Sequence, residues 1–211
     1  DTGIYRNYNQ VYVNVSSSDL NDHYTILDWN RSLVLWMRFE NQTGLENGTF
    51  FNDESSWSNN GTCASATCPQ LNQTGKFGKG MSFDGVNDKV SLGTGFNITS
   101  NYTITLWQKS TATAIGEHYH KTDVIYGINL VYTNWPDVGY VQMLAGSSAS
   151  ADGLTSVNYT LSDGKWHFLV YQIDGTTQRI FVDGRLDNSR TKVNATATND
   201  VFWIGTNPTG T

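Results

Sequence analysis

The stretch Trp166-His-Phe-Leu-Val-Tyr-Gln-Ile173 determines the fold class, because its side chains alternate between two faces in the manner of a β-strand. One face would carry Trp166, Phe168, Val170 and Gln172, and the other His167, Leu169, Tyr171 and Ile173. Both faces are largely apolar, which is typical of a strand in the middle of a sheet. The sequence therefore predicts a central strand here, with His167 flanking the core and not acting as a catalyst.

Short apolar or alternating runs of the same kind recur along the chain, whereas the apolar spacing of a helix is missing. The predicted strands cover residues 10–15, 33–39, 79–83, 89–92, 102–108, 124–131, 139–144, 155–160, 166–173, 178–182 and 201–204. Asp-Gly pairs lie between these runs and begin at Asp84, Asp152, Asp163, Asp174 and Asp183. Because Asp-Gly is a typical hairpin turn, the sequence predicts an all-β, antiparallel sandwich.

The composition limits the possible classes of protein. The chain has 211 residues, of which 38% are hydrophobic and 15% charged, so it can bury a core and is not a disordered polyelectrolyte. Its net charge of −6 argues against a nucleic-acid binder and against attraction to anionic lipid. No apolar run approaches the length of a membrane span, so we predict no direct membrane insertion. A secreted protein would have lost its signal before Asp1; alternatively, the chain is a piece of a longer one.

Potential N-glycosylation acceptors are unusually frequent. Asn-x-Ser/Thr triplets begin at Asn14, Asn30, Asn41, Asn47, Asn60, Asn72, Asn97, Asn101, Asn158 and Asn194. Chance would give roughly four in a chain so rich in Asn, Ser and Thr, and the alternative is that composition alone produces them. The excess favours a protein that carries N-linked glycans at an extracellular or cell-surface location, because acceptors must face solvent after crossing a membrane.

Cys63 and Cys68 are the only cysteines and lie in a polar stretch. In an oxidising compartment they would close a small disulfide ring. The alternative, a metal site built on two cysteines, would need two further ligands, and no histidine lies nearby in the sequence. The disulfide is the favoured interpretation.

Four stretches of the sequence carry a family resemblance. They are Ser32-Leu-Val-Leu-Trp-Met-Arg-Phe-Glu40, Asp53-Glu-Ser-Ser-Trp-Ser-Asn-Asn-Gly-Thr62, Gly75-Lys-Phe-Gly-Lys-Gly-Met-Ser-Phe-Asp-Gly-Val-Asn-Asp-Lys-Val90 and Asp163-Gly-Lys-Trp-His-Phe-Leu-Val170, the last followed by Arg179-Ile-Phe-Val-Asp-Gly-Arg185 and Phe202-Trp-Ile-Gly205. Taken in this order, they resemble the laminin-G-like, concanavalin A-like jelly-roll family over residues 32–205. The resemblance implies an antiparallel jelly-roll β-sandwich.

The resemblance also implies a division of the chain. Residues 1–30 look like a lead-in segment or the tail of a preceding immunoglobulin-like module, as found in large microbial, especially archaeal, surface proteins. Residues 31–211 would form the jelly roll, without the last strand that the family usually has after Gly205. A sheet edge would then be open to self-association. A fragment, a strand lent by another module and strand exchange between subunits all fit, and residues 10–16 are a candidate for the added strand.

The oxygen-rich loop at residues 53–61 is the candidate metal site. The resemblance implies calcium there, with Asp53, Asn59 and Asn60 as ligands, because calcium accepts carboxylate and carbonyl oxygens in flexible geometry. Ser56 and Ser58 replace glycines of the family's loop, so its backbone is expected to differ. The alternative is that these residues only build a turn.

The sequence lacks the residue patterns of the enzymes considered. No strand reads Glu-x-Asp-x-x-Glu, the carboxylate spacing of related glycosidases, and there is no Gly-x-Ser-x-Gly elbow or Gly-rich phosphate loop. Glu117-His-Tyr-His120 offers two imidazoles without a third ligand, so a solvated loop is favoured over a zinc site. We expect no enzymatic activity, and a glycosidase is the less favoured alternative.

Tryptophans are the candidate sugar-binding residues, because a sugar presents C–H groups that stack on an aromatic plane. Trp57 and Trp135 lie in turn-rich loops and are the candidate glycan-stacking residues; the alternative is that they cap the core. The tryptophans within predicted strands are expected in the core, and they are Trp36, Trp107, Trp166 and Trp203.

These observations favour a non-catalytic extracellular module of a heavily N-glycosylated cell-surface or filament protein. The module would act in adhesion or assembly, with glycans or other surface proteins as partners, and calcium would stiffen one loop. The alternative is a purely structural spacer or polymerising subunit joined by strand exchange.

Overall fold

The computed structural model describes residues 28, 31–94, 101–111, 119–121, 129–133, 140–144, 153–157, 161–191 and 201–205. In these ranges regular structure is almost entirely strand, with one 3₁₀ turn at Ser65–Thr67. The strands are β1 (Phe50–Phe51), β2 (Gly61–Thr62), β3 (Gln70–Thr74), β4 (Lys79–Ser82), β5 (Lys89–Ser91), β6 (Tyr102–Lys109), β7 (Tyr119–Lys121), β8 (Asn129–Thr133), β9 (Tyr140–Leu144), β10 (Gly153–Thr155), β11 (Trp166–Asp174), β12 (Thr177–Val182), β13 (Arg185–Thr191) and β14 (Phe202–Gly205). The all-β prediction is confirmed.

The most regular sheet has four strands in the order β13-β12-β11-β6, and every pair is antiparallel. The predicted strand at 166–173 is β11, and its central position is confirmed, since it pairs with β6 on one side and β12 on the other. Leu169, Tyr171 and Ile173 of β11 are buried, whereas the residues that alternate with them are only half-buried. This sheet therefore has an inner face on the core and an outer face that solvent reaches.

Tight turns join β11 to β12 and β12 to β13. Val182 pairs with Arg185, so Asp183 and Gly184 alone form the loop between β12 and β13, with φ angles of +51° and +79°. Positive φ at both loop positions defines the hairpin turn that matches the twist of the strands. The Asp-Gly pair at 183 was predicted as a hairpin turn, and the structure confirms it.

Three further sheets complete the sandwich. They are a five-stranded sheet in the order β1-β2-β5-β14-β7, a three-stranded sheet β10-β9-β8 and the hairpin β3-β4. The four-stranded sheet packs its inner face on the three-stranded one through a buried cluster that includes Met143, Leu154 and Tyr171. A second buried cluster, including Phe51 and Phe202, lies on the inner face of the five-stranded sheet. Ile104 of β6 contacts both clusters, so the two form adjoining parts of the interior.

The predicted strand at 33–39 is not a strand in the structure. Leu35, Met37 and Phe39 do point at the second cluster, as the alternation indicated. However, the Trp36 amide donates to the Asp53 carboxylate at 2.8 Å, and the Trp36 carbonyl accepts from the Glu54 amide at 2.9 Å. The prediction of a strand was wrong. The Trp36 backbone groups form hydrogen bonds with a side chain and a loop amide and not with a neighbouring strand.

The prediction from sequence also missed five strands: β1, β2, β3, β7 and β13. β3 and β13 are mostly polar, and β13 lies at the edge of its sheet. Polar edge strands lack the alternation that reveals half-buried ones. Of the predicted strands, 10–15 lies outside the described residues, whereas 124–131 and 155–160 are described only in part and overlap β8 and β10.

Two features bear on the organisation of the chain. Contacts divide it into two compact units, residues 1–33 and 34–211. The domain boundary after residue 30, the missing last strand and strand exchange through residues 10–16 stay predictions. Cys63 and Cys68 are joined by a disulfide, so the predicted pairing is present.

Candidate functional site: an aromatic patch on the outer face of the four-stranded sheet

Exposed aromatic side chains gather on the outer face of the four-stranded sheet. Trp107 of β6 pairs in register with Phe168 of β11, so both side chains lie on the face opposite the core. Their ring centroids are 5.2 Å apart, and the Phe77 ring meets Trp107 edge-on at 5.6 Å. Phe77 is 53% exposed and Trp107 38%. We refer to Lys76, Phe77, Trp107 and Phe168 as the aromatic patch.

Phe77 reaches this patch from the tip of the β3–β4 hairpin. The Gly75 amide donates to the Gly78 carbonyl at 3.1 Å, which closes the turn, and Gly78 has φ +61°. The Lys79 amide next to it donates to Glu40 at 3.0 Å. A Cβ at position 78 would lie 2.6 Å from Glu40 Oε2, and the positive φ also disfavours any residue other than glycine there. The Gly-Lys-Phe-Gly sequence therefore fixes the Phe77 ring against Trp107.

Lys76 contributes a cation to the patch. Its Nζ lies 5.0 Å from the centroid of the Trp107 ring and 5.9 Å from that of Phe77, within cation–π range. In the described part of the chain no carboxylate lies within ion-pair distance of Lys76. The ammonium can therefore form hydrogen bonds with a ligand on the patch.

Beyond the aromatic patch, the outer face carries two rows of side chains, each made of residues that lie directly opposite one another on neighbouring strands. The apolar row consists of Thr105, Val170, Phe181 and Leu186. The polar row consists of Thr103, Gln172, Arg179 and Ser189. Arg179 donates to Gln172 Oε1 at 3.1 Å and forms an ion pair with Asp174 at 3.2 Å. Hydroxyl, amide and guanidinium groups thus lie on the same sheet face as the aromatic rings.

Phe168 is held in place by its neighbours at the end of the sheet. Its amide donates to Asp183 Oδ1 at 2.9 Å, and the Asp183 amide donates to its carbonyl at 2.8 Å. His167 lies between two carboxylates, with Nδ1 2.8 Å from Asp183 and Nε2 3.2 Å from Asp163. A doubly protonated ring donates to both. The His167 side chain is only 12% exposed, which confirms that it flanks the core.

Both carboxylates next to His167 ionise more readily than usual. The Lys165 ammonium, with the Lys165 amide and His167, holds the pKa of Asp163 well below its ordinary value. Partial burial acts to raise the pKa of Asp183, but the Phe168 amide and His167 outweigh it, and the pKa is lowered. The carboxylate form is therefore the one that supports this end of the sheet.

The predicted glycan-stacking residues have different outcomes. Trp57 is 58% exposed, in agreement with its predicted loop position, whereas Trp135 lies outside the described residues. The prediction that Trp107 belongs to the core was wrong, because its neighbours Leu106 and Gln108 take the inner face of β6. Trp203, also predicted in the core, is only half-buried. Strict alternation along 102–108 was the signal that could have placed Trp107 on the outside.

Asp53 was predicted as a calcium ligand, and its carboxylate accepts four hydrogen bonds. Oδ1 accepts from the amides of Trp36 and Ser55 at 2.8 and 2.9 Å. Oδ2 accepts from the Ser55 hydroxyl and the Asn59 amide, each at 2.7 Å. The side chain is 4% exposed. The lone pairs that calcium would need are thus directed at protein donors.

The other predicted calcium ligands are also engaged. Asn60 Oδ1 accepts from the Asp53 amide at 2.9 Å, and the Asn59 side chain donates to the Val34 carbonyl at 2.8 Å. Among the described residues no three His, Cys, Asp or Glu side chains are gathered as a metal site. The 53–61 loop therefore does not fit calcium in this arrangement, and calcium binding stays an untested prediction. The disfavoured zinc segment at 117–120 lies largely outside the described residues.

The predicted glycosylation acceptors that the structure describes lie mainly at the surface. Asn41, Asn47, Asn72 and Asn101 are exposed, and Asn60 is half-buried. Asn41 and Asn72 have φ angles of +53° and +65°, a conformation that asparagine tolerates better than most residues. The remaining acceptors lie outside the described residues, and they are Asn14, Asn30, Asn97, Asn158 and Asn194.

Solved structures with a similar fold include domain 4 of AbnA, a GH43 extracellular arabinanase from Geobacillus stearothermophilus, in complex with arabinotriose. It is 18% identical, with a TM-score of 0.50 over 75% of this chain and 67% of that one. The binding domain of Paraclostridial Mosquitocidal Protein 1 is 12% identical, with a TM-score of 0.56 over 84% of this chain and 45% of that one.

A third similar structure is that of botulinum neurotoxin type C, which interacts with two ganglioside molecules. It is 12% identical, with a TM-score of 0.50 over 74% of this chain and 40% of that one. The chain thus spans less than half of this structure and of the mosquitocidal one. No curated protein sequence matches the chain.

An antiparallel sandwich of this kind defines the jelly-roll class of β-sandwich domains. A family model described as the concanavalin A-like lectin/glucanases superfamily matches residues 84–211. The chain belongs to this superfamily.

The Asp53 hydrogen bonds predict a large loss of stability on substitution. Asp53→Asn replaces one acceptor oxygen by an NH₂ group that faces protein donors, so we expect the free energy of unfolding to fall by about 2–4 kcal/mol. Chemical denaturation measures this. Asp174→Asn is the control, because the Asp174 side chain is 65% exposed and should change stability by less than about 1 kcal/mol. A rise in melting temperature with roughly millimolar calcium, abolished in Asp53→Asn, would instead support the calcium interpretation.

The lowered pKa values of Asp163 and Asp183 predict a stability that falls in acid. The unfolded chain binds protons at the ordinary pKa of 3.8, above the folded value, so these groups stabilise the fold above that pH and lose the effect as the pH drops further. Thermal unfolding between about pH 7 and pH 3 measures the loss. The Asp163→Asn/Asp183→Asn double variant should lose less stability over this range; an unchanged acid slope would contradict the assignment.

Proposed function

We propose that this chain is a non-catalytic, extracellular glycan-binding module that acts in adhesion, with the aromatic patch as its sugar-stacking platform. The observation that carries the proposal is the exposed Phe77–Trp107 pair on the outer face of the four-stranded sheet. Membership of the concanavalin A-like superfamily supports it, as do the arabinotriose and ganglioside ligands named for two structures of similar fold.

The chemistry of the patch suits a sugar. A pyranose or furanose ring presents apolar C–H groups on one side and hydroxyls at its edge. Trp107 and Phe77 supply a plane and an edge for the C–H groups, while Lys76 and Thr105 are placed to form hydrogen bonds with hydroxyls. Exposed aromatic side chains cost solubility, so a cluster of them on one face favours a binding role.

The acidic residues near the patch have structural partners, which favours binding over catalysis. Glu40 accepts from the Lys79 amide, and Arg38 forms ion pairs with Glu40 at 3.8 Å and with Glu54 at 3.5 Å. Asp163 and Asp183 both contact His167. A glycosidase needs two carboxylates facing each other across a substrate cleft, and none of these contacts forms such a pair.

The proposed extracellular location has two supports. The Cys63–Cys68 disulfide is typical of an oxidising compartment, and the exposed acceptor asparagines are accessible to glycosylation. In the part of the chain that the structure describes, no helix is long and apolar enough to cross a membrane. We extend the proposal to N-linked glycans at the predicted acceptors.

Binding to a glycan array tests the proposed site. The array first identifies a glycan that the wild-type chain binds. Trp107→Ala and Phe77→Ala should each weaken binding of that glycan roughly tenfold, because one aromatic stacking contact is worth about 1 kcal/mol or more. Trp57→Ala is the matched control, since Trp57 is an exposed tryptophan that takes no part in the ring contacts of the patch. Loss of binding in Trp57→Ala or Trp135→Ala with Trp107→Ala unaffected would move the site to the loops. No glycan binding by the folded chain would overturn the proposal.

Intact mass after expression in a glycosylating secretory host tests the predicted acceptors. We expect a mass above 23.5 kDa that returns toward this value on enzymatic removal of N-glycans. Peptide mapping should find modification at the exposed acceptors before Asn60, which is half-buried. An unmodified mass with intact secretion would contradict the glycoprotein interpretation.

A further inference from the structure

A concave surface lies on the outer face of the five-stranded sheet, and so on a different sheet from Trp107 and Phe168 of the aromatic patch. It is a groove of about 360 Å³. Its principal lining residues are Thr62, Cys63, Ala64, Lys89, Ser91 and Trp203. This volume falls in the range of small-molecule sites. We call this surface the Trp203 groove.

The floor of the Trp203 groove is set by strand register. Thr62 of β2 pairs with Ser91 of β5, and Ser91 pairs with Trp203 of β14. Residues directly opposite each other share a sheet face. Two hydroxyls and an indole ring therefore form one row, and Trp203 is half-buried, with part of its ring open to solvent. The row offers both a stacking plane and hydrogen-bonding groups.

The wall of the groove is the disulfide loop. Cys63 and Cys68 close it, and the 3₁₀ turn Ser65–Thr67 lies between them. The Thr67 amide and hydroxyl both donate to the Ala64 carbonyl, at 2.7 and 3.2 Å. A short cross-linked ring with internal hydrogen bonds has few alternative conformations. The groove is thus built on a constrained loop and a sheet.

Lys89 gives the groove its charge. Its Nζ lies 5.4 Å from the centroid of the Trp203 ring, and it is two residues from Ser91 on the same strand, which places both on the same face. Within the described ranges no carboxylate pairs with Lys89. An ammonium without a carboxylate partner at the side of a groove favours an anionic ligand.

We propose that the Trp203 groove binds a carboxylated sugar residue, as a second site that is independent of the aromatic patch. The sugar ring stacks on Trp203, the carboxylate pairs with the Lys89 ammonium, and the hydroxyls of Thr62 and Ser91 form hydrogen bonds with ring substituents. A uronic acid within a polysaccharide and a terminal sialic acid share this chemistry. The proposal commits to the carboxylated ring and not to a sulfate ester or a neutral sugar.

Matched oligosaccharides test the ligand class by calorimetric titration. Trigalacturonic acid and sialyllactose are each compared with their own methyl ester, which keeps the rings and removes the charge. We expect a carboxylated member of one pair to bind at least about tenfold more tightly than its neutral partner, because a hydrogen bond to a charged group is lost in the neutral one. Which pair responds identifies the source. Equal binding of the charged and neutral members in both pairs, or no binding of any of the four oligosaccharides, would overturn the proposal.

Variants of two similarly placed lysines locate the site. Lys89→Gln should weaken binding of the carboxylated probe about tenfold, and Lys89→Arg should retain most of it. Lys76→Gln is the matched control, since Lys76 also lies over a tryptophan but belongs to the aromatic patch. The NMR signal of the Trp203 indole N–H should shift when the carboxylated probe is added. Unchanged binding in Lys89→Gln, or equal loss in Lys76→Gln, would overturn the location.

The proposals for the aromatic patch and for the Trp203 groove can be disproved independently of each other. Trp107→Ala should weaken array binding at the aromatic patch roughly tenfold and leave binding of the carboxylated probe intact. Melting temperatures of all variants establish that they fold, and Lys89→Arg keeps the site testable if Lys89→Gln is unstable. If Trp107→Ala removes binding of the carboxylated probe, the acid sugar belongs to the patch and the second site does not exist.

Discussion

The register of β11 against its two neighbours is the constraint on which both the core and the candidate site depend. It places Leu169 and Tyr171 inward and sets Phe168 opposite Trp107 on the outer face. A shift of β11 by one residue would turn Phe168 inward, away from Trp107, and expose Leu169, so the buried face fixes the register strongly. Burial on one side of the strand therefore determines which rings are available on the other.

The sequence predicted the strands whose alternation runs along one short stretch and the turns that their own residues define. The stretch at 166–173 and the Asp-Gly turn at 183 were read correctly, because alternation and turn chemistry are local. The core assignment of Trp107 failed because hydrophobicity was given more weight than alternation. The aromatic patch was missed as a consequence, since Phe77 reaches Trp107 from a distant hairpin.

The loop at 53–61 shows a different limit of the sequence. Asp, Asn and Ser at these positions suit calcium and suit a hydrogen-bonded turn equally well. The deciding donor is the amide of Trp36, which lies 17 residues before Asp53 and cannot be recognised from composition. The same carboxylate thus joins the loop to a segment whose own side chains pack into the second cluster. The structural role of Asp53 therefore follows from tertiary contacts.

The left-handed conformation of Asn41 and Asn72 has a practical consequence for testing whether these predicted acceptors carry glycans. Replacing either asparagine by glutamine would remove an acceptor and also strain the backbone, because glutamine adopts positive φ at a higher cost. A change in stability would then report the backbone and not the sugar. Substituting Thr43 or Thr74 by alanine destroys the acceptor triplet and keeps the asparagine, so it separates the carbohydrate from the turn it is attached to.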